Sequence, residues 1–209
     1  MALPVVVLTG GVASGKSAVS EQLARLGACI VDTDVVAHWV TQPGNPGFDA
    51  IVKQWGDEVL AQGPDQKRVL DRAKLRKLVF NDPAQRKTLE ALLHPLIMAE
   101  VNRQLAQPTK EECSYAVVVI PLFAENPRLL EPQAVVVIDA PESAQIQRLI
   151  SRDGIDEELA HQMLNAQASR AKRRALATFV IENDDDLETL KKRAVALDGQ
   201  LKRRFKGSG

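Results

Sequence analysis

Aromatic residues make up only 4% of this 209-residue chain, cysteines number two, and 27 Lys and Arg are cancelled by 27 Asp and Glu. Each shortage excludes something. Without net charge there is no overall positive field to hold a nucleic-acid backbone non-specifically, so a small-molecule partner is favoured over nucleic acid. Cys29 and Cys113 stand in no CxxC or metal-ligand spacing, which carries no zinc signal and fits a reducing compartment, the cytoplasm. The longest apolar stretch, Ala116 to Ala124, is broken by Pro121 and falls far short of the roughly 20 residues that span a bilayer. No membrane partner is expected. The apolar N-terminus, Ala2 to Leu8, lacks a basic n-region and a cleavage site, and reads as a core strand.

What remains is ordinary globular composition, 45% hydrophobic and 26% charged, over a length that suits one domain with insertions or two small ones. Five β-branched runs read as strands: Val5 to Thr9, Cys29 to Asp32, Tyr115 to Ile120, Ala134 to Asp139 and Phe179 to Ile181. They are apolar without alternation, as in a parallel sheet covered on both faces. Ser17 to Leu26 carries Val19, Leu23 and Leu26 at helical spacing, with Gly27 as a stop, and closes a βαβ unit. The fold class is therefore α/β, with a five-stranded parallel sheet flanked by helices.

Two stretches interrupt the strands. The interval from His38 to Gln107 reads as helical, with apolar periodicity over Phe48 to Trp55, Leu70 to Phe80 and Thr88 to Leu105. A second insertion, Glu142 to Arg174, reads as a helical pair hinged near Asp153-Gly154. Leu187 to Phe205 looks like one amphipathic terminal helix, and Gly207-Ser208-Gly209 like a disordered end. The expected division is a core of residues 1–37, 108–141 and 175–209, a helical acceptor subdomain over 38–107 and a lid over 142–174.

The strongest local signal is Gly10-Gly11-Val12-Ala13-Ser14-Gly15-Lys16-Ser17, which satisfies G-x-x-x-x-G-K-[ST] between a predicted strand and a predicted helix. Glycines let the backbone curl so that successive N–H groups, backed by the helix N-terminus, surround nucleotide phosphates. Lys16 would then bridge the β- and γ-phosphates of ATP, and the Ser17 hydroxyl would bind Mg²⁺. No N-K-x-D, D-x-x-G or L-S-G-G-Q string occurs, which disfavours a GTP switch or a transporter ATPase. A small-molecule kinase remains, because it needs a phosphate loop, an acceptor pocket and a water-excluding lid. At the end of the second strand stands Asp32-Thr33-Asp34. These carboxylates suit a metal-orienting group and a general base, although Asp34 also suits a simple helix cap.

In these residues the chain resembles the dephospho-coenzyme A kinases, P-loop NTPase-fold enzymes. Leu8 to Ser17 is similar to that family's L-T-G-G-I-G-S-G-K-S-T, and Asp32 to Ala37 to its D-A-D-x-x-A. Leu92-Leu93-His94-Pro95 is similar to L-x-H-P, and Pro121-Leu122-Phe123-Ala124-Glu125-Asn126 to P-L-L-x-E-N. Further matches are Gln145, Arg148 and Arg152-Asp153, then Gln167-Ala168-Ser169, then Val180-Ile181-Glu182-Asn183. Ala13 replaces a loop glycine, Ala18 a threonine, and Thr178 an aspartate.

The resemblance implies transfer of the ATP γ-phosphoryl group to the ribose 3′-hydroxyl of 3′-dephospho-coenzyme A, the last step of coenzyme A biosynthesis. It implies Lys16, Asp34, Arg148 and Arg152 as catalytic groups. Gly10 to Ala18 would hold the nucleotide, Ser17 and Asp32 the Mg²⁺, and Asp32, Asp34, His94, Leu122 and Glu125 the acceptor. Bland alternatives stay open: His94-Pro95 as a helix break, Glu125 as a solvated loop carboxylate, the lid arginines as a polar stripe, and Trp39 and Trp55 as packing residues. A kinase acting on nucleoside monophosphates or another small alcohol, and a slow ATP-hydrolysing regulatory module, are the rival functions.

Overall fold

The computed structural model describes residues 3–64, 67–107 and 113–206, and the side chains of residues 80 and 81 are not described. Ala2 and the terminal Gly207-Ser208-Gly209 lie outside the described residues. The chain divides into two compact units, Met1–Asp32 with Gln107–Gly209, and Thr33–Ala106.

The first unit is built on β1 (Val5–Gly10), β2 (Cys29–Asp32), β5 (Ala116–Val119), β6 (Ala134–Asp139) and β7 (Phe179–Glu182). They form one parallel sheet in the order β2-β5-β1-β6-β7. Alternate residues supply its two faces. Val6 and Leu8 of β1, Val117 and Val119 of β5, and Val136 and Ile138 of β6 share a core cluster with Val19 and Leu23 of α1 (Lys16–Arg25) and Leu190, Ala194, Leu197 and Leu201 of α9 (Leu187–Lys206). Val7, Val118 and Val137, of opposite parity, are equally inaccessible. Burial of both faces is what the unalternating apolar runs require. Deep in this core the Tyr115 hydroxyl donates to Asp198 Oδ1 at 2.9 Å.

The lid stretch is three helices rather than a pair: α6 (Glu142–Asp153), α7 (Glu157–Asn165) and α8 (Arg170–Ala175). Gly154 ends α6 in the left-handed conformation, φ 66°, and Asp156 caps α7 by accepting from Leu159 N. Ser169 caps α8. These two local caps create a boundary that apolar periodicity did not show.

The second unit holds α2 (Thr33–Val40), α3 (Pro46–Trp55), β3 (Leu60–Gln62), β4 (Arg68–Leu70), α4 (Arg72–Asn81) and α5 (Pro83–Leu105). Helix α5 packs against α2, α3 and α4. Two expectations fail here. The interval is not wholly helical, because β3 and β4 pair as an antiparallel hairpin. Pro95 does not break a helix, because it lies inside the 23-residue α5. A proline removes one backbone bond and bends its helix, and here the helix continues through it. Trp55 donates from its indole nitrogen to Gln85 at 2.8 Å, whereas Trp39 stays 41% exposed.

The two cysteines are joined. Cys29 and Cys113 form a disulfide across a sequence separation of 84, with Cα atoms 5.7 Å apart. Their spacing alone gave no sign of this pairing. Cys29 opens β2 and Cys113 precedes its neighbour β5, so parallel pairing sets them side by side.

Candidate active site

The loop from Gly10 to Gly15 follows β1 and delivers the chain into α1 at Lys16. Ala13 has φ 53°, the one positive φ at a non-glycine among the described residues. Left-handed backbone costs an L-residue about 1 kcal/mol, so surrounding contacts must hold it there.

They are plentiful. Val12 O accepts from Gln145 Nε2 at 2.5 Å, and Ala13 O from Arg148 Nη1 at 3.2 Å. Ser14 O accepts from Asn183 Nδ2 at 2.7 Å. Val12 N donates to Gln167 Oε1 at 2.9 Å, and Ser14 N closes a turn onto Gly11 O. Lys16 Nζ donates to the carbonyls of Gly10 at 3.0 Å and Gly11 at 2.8 Å. Gly15, at φ 101°, requires glycine, where a Cβ would also strike the Asn183 amide, and a Cβ on Gly11 would displace the Gln145 amide. Ser14 Oγ and Gln145 Oε1 are buried with no hydrogen-bond partner among the described residues. With these carbonyls taken up by side chains, backbone N–H groups backed by the N-terminus of α1 suit a polyphosphate.

Gln145, Arg148 and Arg152 are spaced i, i+3 and i+7 along α6, the spacing of one helix face. The structure instead buries Gln145 at 1% exposure together with Leu149 and leaves Ile150 37% exposed. The reason is the loop: Gln145 is the donor that satisfies Val12 O. Arg148 reaches both Ala13 O and Asn183. Arg152, near the end of α6, is exposed and pairs with Asp153 at 2.7 Å, which raises the Arg152 pKa and lowers that of Asp153.

At the far edge of the sheet, Leu8 of β1 registers with Val119 of β5, and Val119 with Asp32 of β2. Asp32 therefore stands at the carboxyl edge from which the loop departs, the edge where parallel sheets bind ligands. Leu122 is 52% exposed beyond β5. Glu125 is not merely solvated, since its Oε1 accepts from Ala168 N at 2.8 Å just ahead of α8. In the second unit Asp34 lies in the first turn of α2, which starts at Thr33, so it is not that helix's N-cap. His94 is half-buried within α5.

Sequence reasoning missed one charged cluster. Asp139, 2% exposed at the end of β6, receives Arg170 at 2.8 and 2.9 Å and is also bonded by Arg174. Arg174 in turn meets Glu182 of β7 at 2.7 Å. Burial pushes the Asp139 carboxyl up, but the guanidinium groups of Arg170 and Arg174 together outweigh it and hold the carboxyl below its ordinary value. Helix α8 also carries the basic run Lys172-Arg173-Arg174. Arg174 spends its charge on this cluster, and Arg173 is buried, donating to Ala168 O at 2.5 Å. Asn183 was missed as well, although it closes the V-I-x-N string.

Two cavities are lined in part by side chains that bond the loop. One of about 370 Å³ is lined by Ala144, Gln147, Arg148, Ser151, Asp184 and Asp185. The other, about 200 Å³, has Gln145, Gln167, Arg170 and Arg173 among its lining residues. The Ser17 hydroxyl and the Asp32 carboxylate are hard oxygen donors of the kind Mg²⁺ takes alongside phosphates and water. Among the described residues no cluster of three or more His, Cys, Asp or Glu offers an all-protein metal cage. Nor is any helix among them long and apolar enough to cross a membrane.

Comparison with known proteins gives one answer. Residues 4–189 match the family described as Dephospho-CoA kinase. A curated dephospho-CoA kinase of Coxiella burnetii is 41% identical over 186 residues, covering 88% of this chain and 90% of that protein. Among solved structures, a Thermus thermophilus protein superposes with a TM-score of 0.78 at 26% identity, over 96% of this chain and 99% of that one. Dephospho-CoA kinase from Campylobacter jejuni gives 0.68 at 25% identity, over 95% and 97%.

Proposed function

The chain belongs to the dephospho-CoA kinase family and phosphorylates dephospho-CoA with ATP in coenzyme A biosynthesis, and from that premise we propose how its residues divide the work. Gly10 to Ala18 receive the polyphosphate of ATP on backbone amides, with Lys16 spanning the β- and γ-phosphates. The observation that supports this most is the loop itself, whose carbonyls at Val12, Ala13 and Ser14 are all held by side chains. The cleft between α6 and the Asp184-Asp185 turn takes the nucleoside end.

The acceptor is the ribose 3′-hydroxyl of dephospho-CoA. A secondary alcohol is a poor nucleophile at neutral pH, so a carboxylate placed at its proton is required. Asp34 takes that proton as the oxygen attacks the γ-phosphorus. Residues 38–107, with His94, and the loop carrying Leu122 and Glu125 hold the acceptor. Residues 142–174 act as a lid that excludes water from the transferring group.

Charge developing on the phosphoryl oxygens is met by arginine, whose planar fork suits them. Arg152 is placed first for this role, because its recorded partner is the adjacent exposed Asp153, a weak surface pairing. Arg148 works from the loop side. Ser17 and Asp32 would hold Mg²⁺, which when bound supplies charge neutralisation between the β- and γ-phosphates. We place the protein in the cytoplasm.

Incubation with ATP, Mg²⁺ and separate acceptors tests this reading. Coenzyme A and one equivalent of ADP are expected with dephospho-CoA. Product only from nucleoside monophosphates, or ADP release independent of acceptor, would overturn it.

A further inference from the structure

Three consecutive carbonyls of the phosphate loop are each held by a side chain from outside it. Gln145 holds Val12 O, Arg148 holds Ala13 O and Asn183 holds Ser14 O. Gln145 and Asn183 are 1% and 4% exposed, so both amides are fixed by packing. They also occupy the space that a Cβ on Gly11 or Gly15 would need. A trans peptide carries its C=O and N–H on opposite edges. Holding the carbonyls of Val12 and Ser14 outward therefore turns the Ala13 and Gly15 amides the other way, and the intervening Ser14 amide closes the turn onto Gly11. The same contacts pin Ala13, a non-glycine residue at φ 53°.

The other glutamine on Val12 has the opposite sense. Gln167 Oε1 accepts from Val12 N at 2.9 Å and so occupies an amide of the kind that an incoming phosphate oxygen would take. One residue is thus gripped by two glutamines, of which one presents the loop's donors and the other competes for one of them.

We infer that Gln145 and Asn183, together with Arg148, are positioning residues that hold the loop's amides toward the nucleotide, while Gln167 is a competitor displaced when phosphate arrives. This rests on reading Gly10 to Ser17 as the ATP loop. Gln145, Asn183 and Gln167 each bond the phosphate loop itself, so the effects fall on ATP alone.

Calorimetric titration of the full chain with ATP and Mg²⁺, in the absence of acceptor, separates this inference from the choice of acceptor. If no ATP binds the unaltered chain, it is the loop reading that fails. Gln145→Leu, which removes the donor while keeping bulk, is expected to weaken ATP binding about tenfold, the effect of one buried hydrogen bond. The KM for ATP should rise in parallel and the KM for dephospho-CoA stay within about twofold. Asn183→Ala, read the same way, carries the test if Gln145→Leu does not fold. Gln167→Ala should bind ATP as tightly as the unaltered chain or up to roughly tenfold more tightly. An unchanged ATP affinity in both clamp variants, a parallel rise in both KM values, or weaker ATP binding by Gln167→Ala would each overturn the inference.

Discussion

Asp139→Asn probes the anchor that ties α8 to the sheet. The wild-type carboxylate, 2% exposed, takes a two-pronged contact from Arg170 and a further bond from Arg174, tying α8 to the ends of β6 and β7. Asparagine keeps one acceptor and turns an amide donor toward guanidinium donors. Hydrogen bonds to charged groups contribute about 1.5 to 3 kcal/mol each in burial, and unpairing a buried ion costs more. Both arginines remain two-fifths exposed and Glu182 still offsets part of their charge, so the net loss should be near 2 kcal/mol. For a chain of this length that lowers Tm by about 4 to 8 °C. The pH dependence gives a second readout. A carboxyl whose folded pKa lies below its unfolded value stabilises the fold above the unfolded pKa, and that contribution is lost as pH falls through the folded value. The Tm gap between wild type and Asp139→Asn should therefore be full at pH 7 and begin to narrow only below about pH 4, the ordinary carboxylate range. Calorimetric melts from pH 7 to pH 3 measure it. An equal gap at both ends, or no gap at pH 7, would refute the reasoning.

Other outcomes follow from the same geometry. Arg152→Ala should lower kcat at least about tenfold while leaving the KM for dephospho-CoA nearly unchanged; steady-state kinetics in both substrates checks it, and the reverse pattern makes Arg152 an acceptor-binding residue. Reducing the Cys29–Cys113 disulfide releases a loop spanning 84 positions, for which chain entropy gives about 4.5 kcal/mol. A Tm about 10 °C lower in reductant is expected, and melts within 1 °C of each other would show that the bond does not constrain the unfolded chain.

The phosphate loop and its sheet were legible because their signals are local: a glycine spacing between an apolar strand and an apolar helix face needs no distant partner. Residues missed were those whose meaning lies in a partner far along the chain. Gln145 reads as surface polar until Val12, 133 positions away, is seen to need a donor. Asp139 reads as a strand terminator until Arg170 and Arg174 fold over it. Cys29 and Cys113 meet because β2 and β5, distant in sequence, are neighbours in the sheet. The β3–β4 hairpin escaped for another reason, since strands of three residues are too short for alternation to stand out. Pro95 misled because a proline is a helix breaker only when the packing around it does not compensate.

The central claim is that a carboxylate on α2 activates the acceptor hydroxyl while the loop holds ATP independently. Asp34→Asn, assayed for coenzyme A formation and for ATP binding on the same preparation, tests it most directly. Loss of turnover by a factor of about 10² to 10⁴ with ATP affinity retained is the predicted result. A kcat near that of the unaltered enzyme would contradict it.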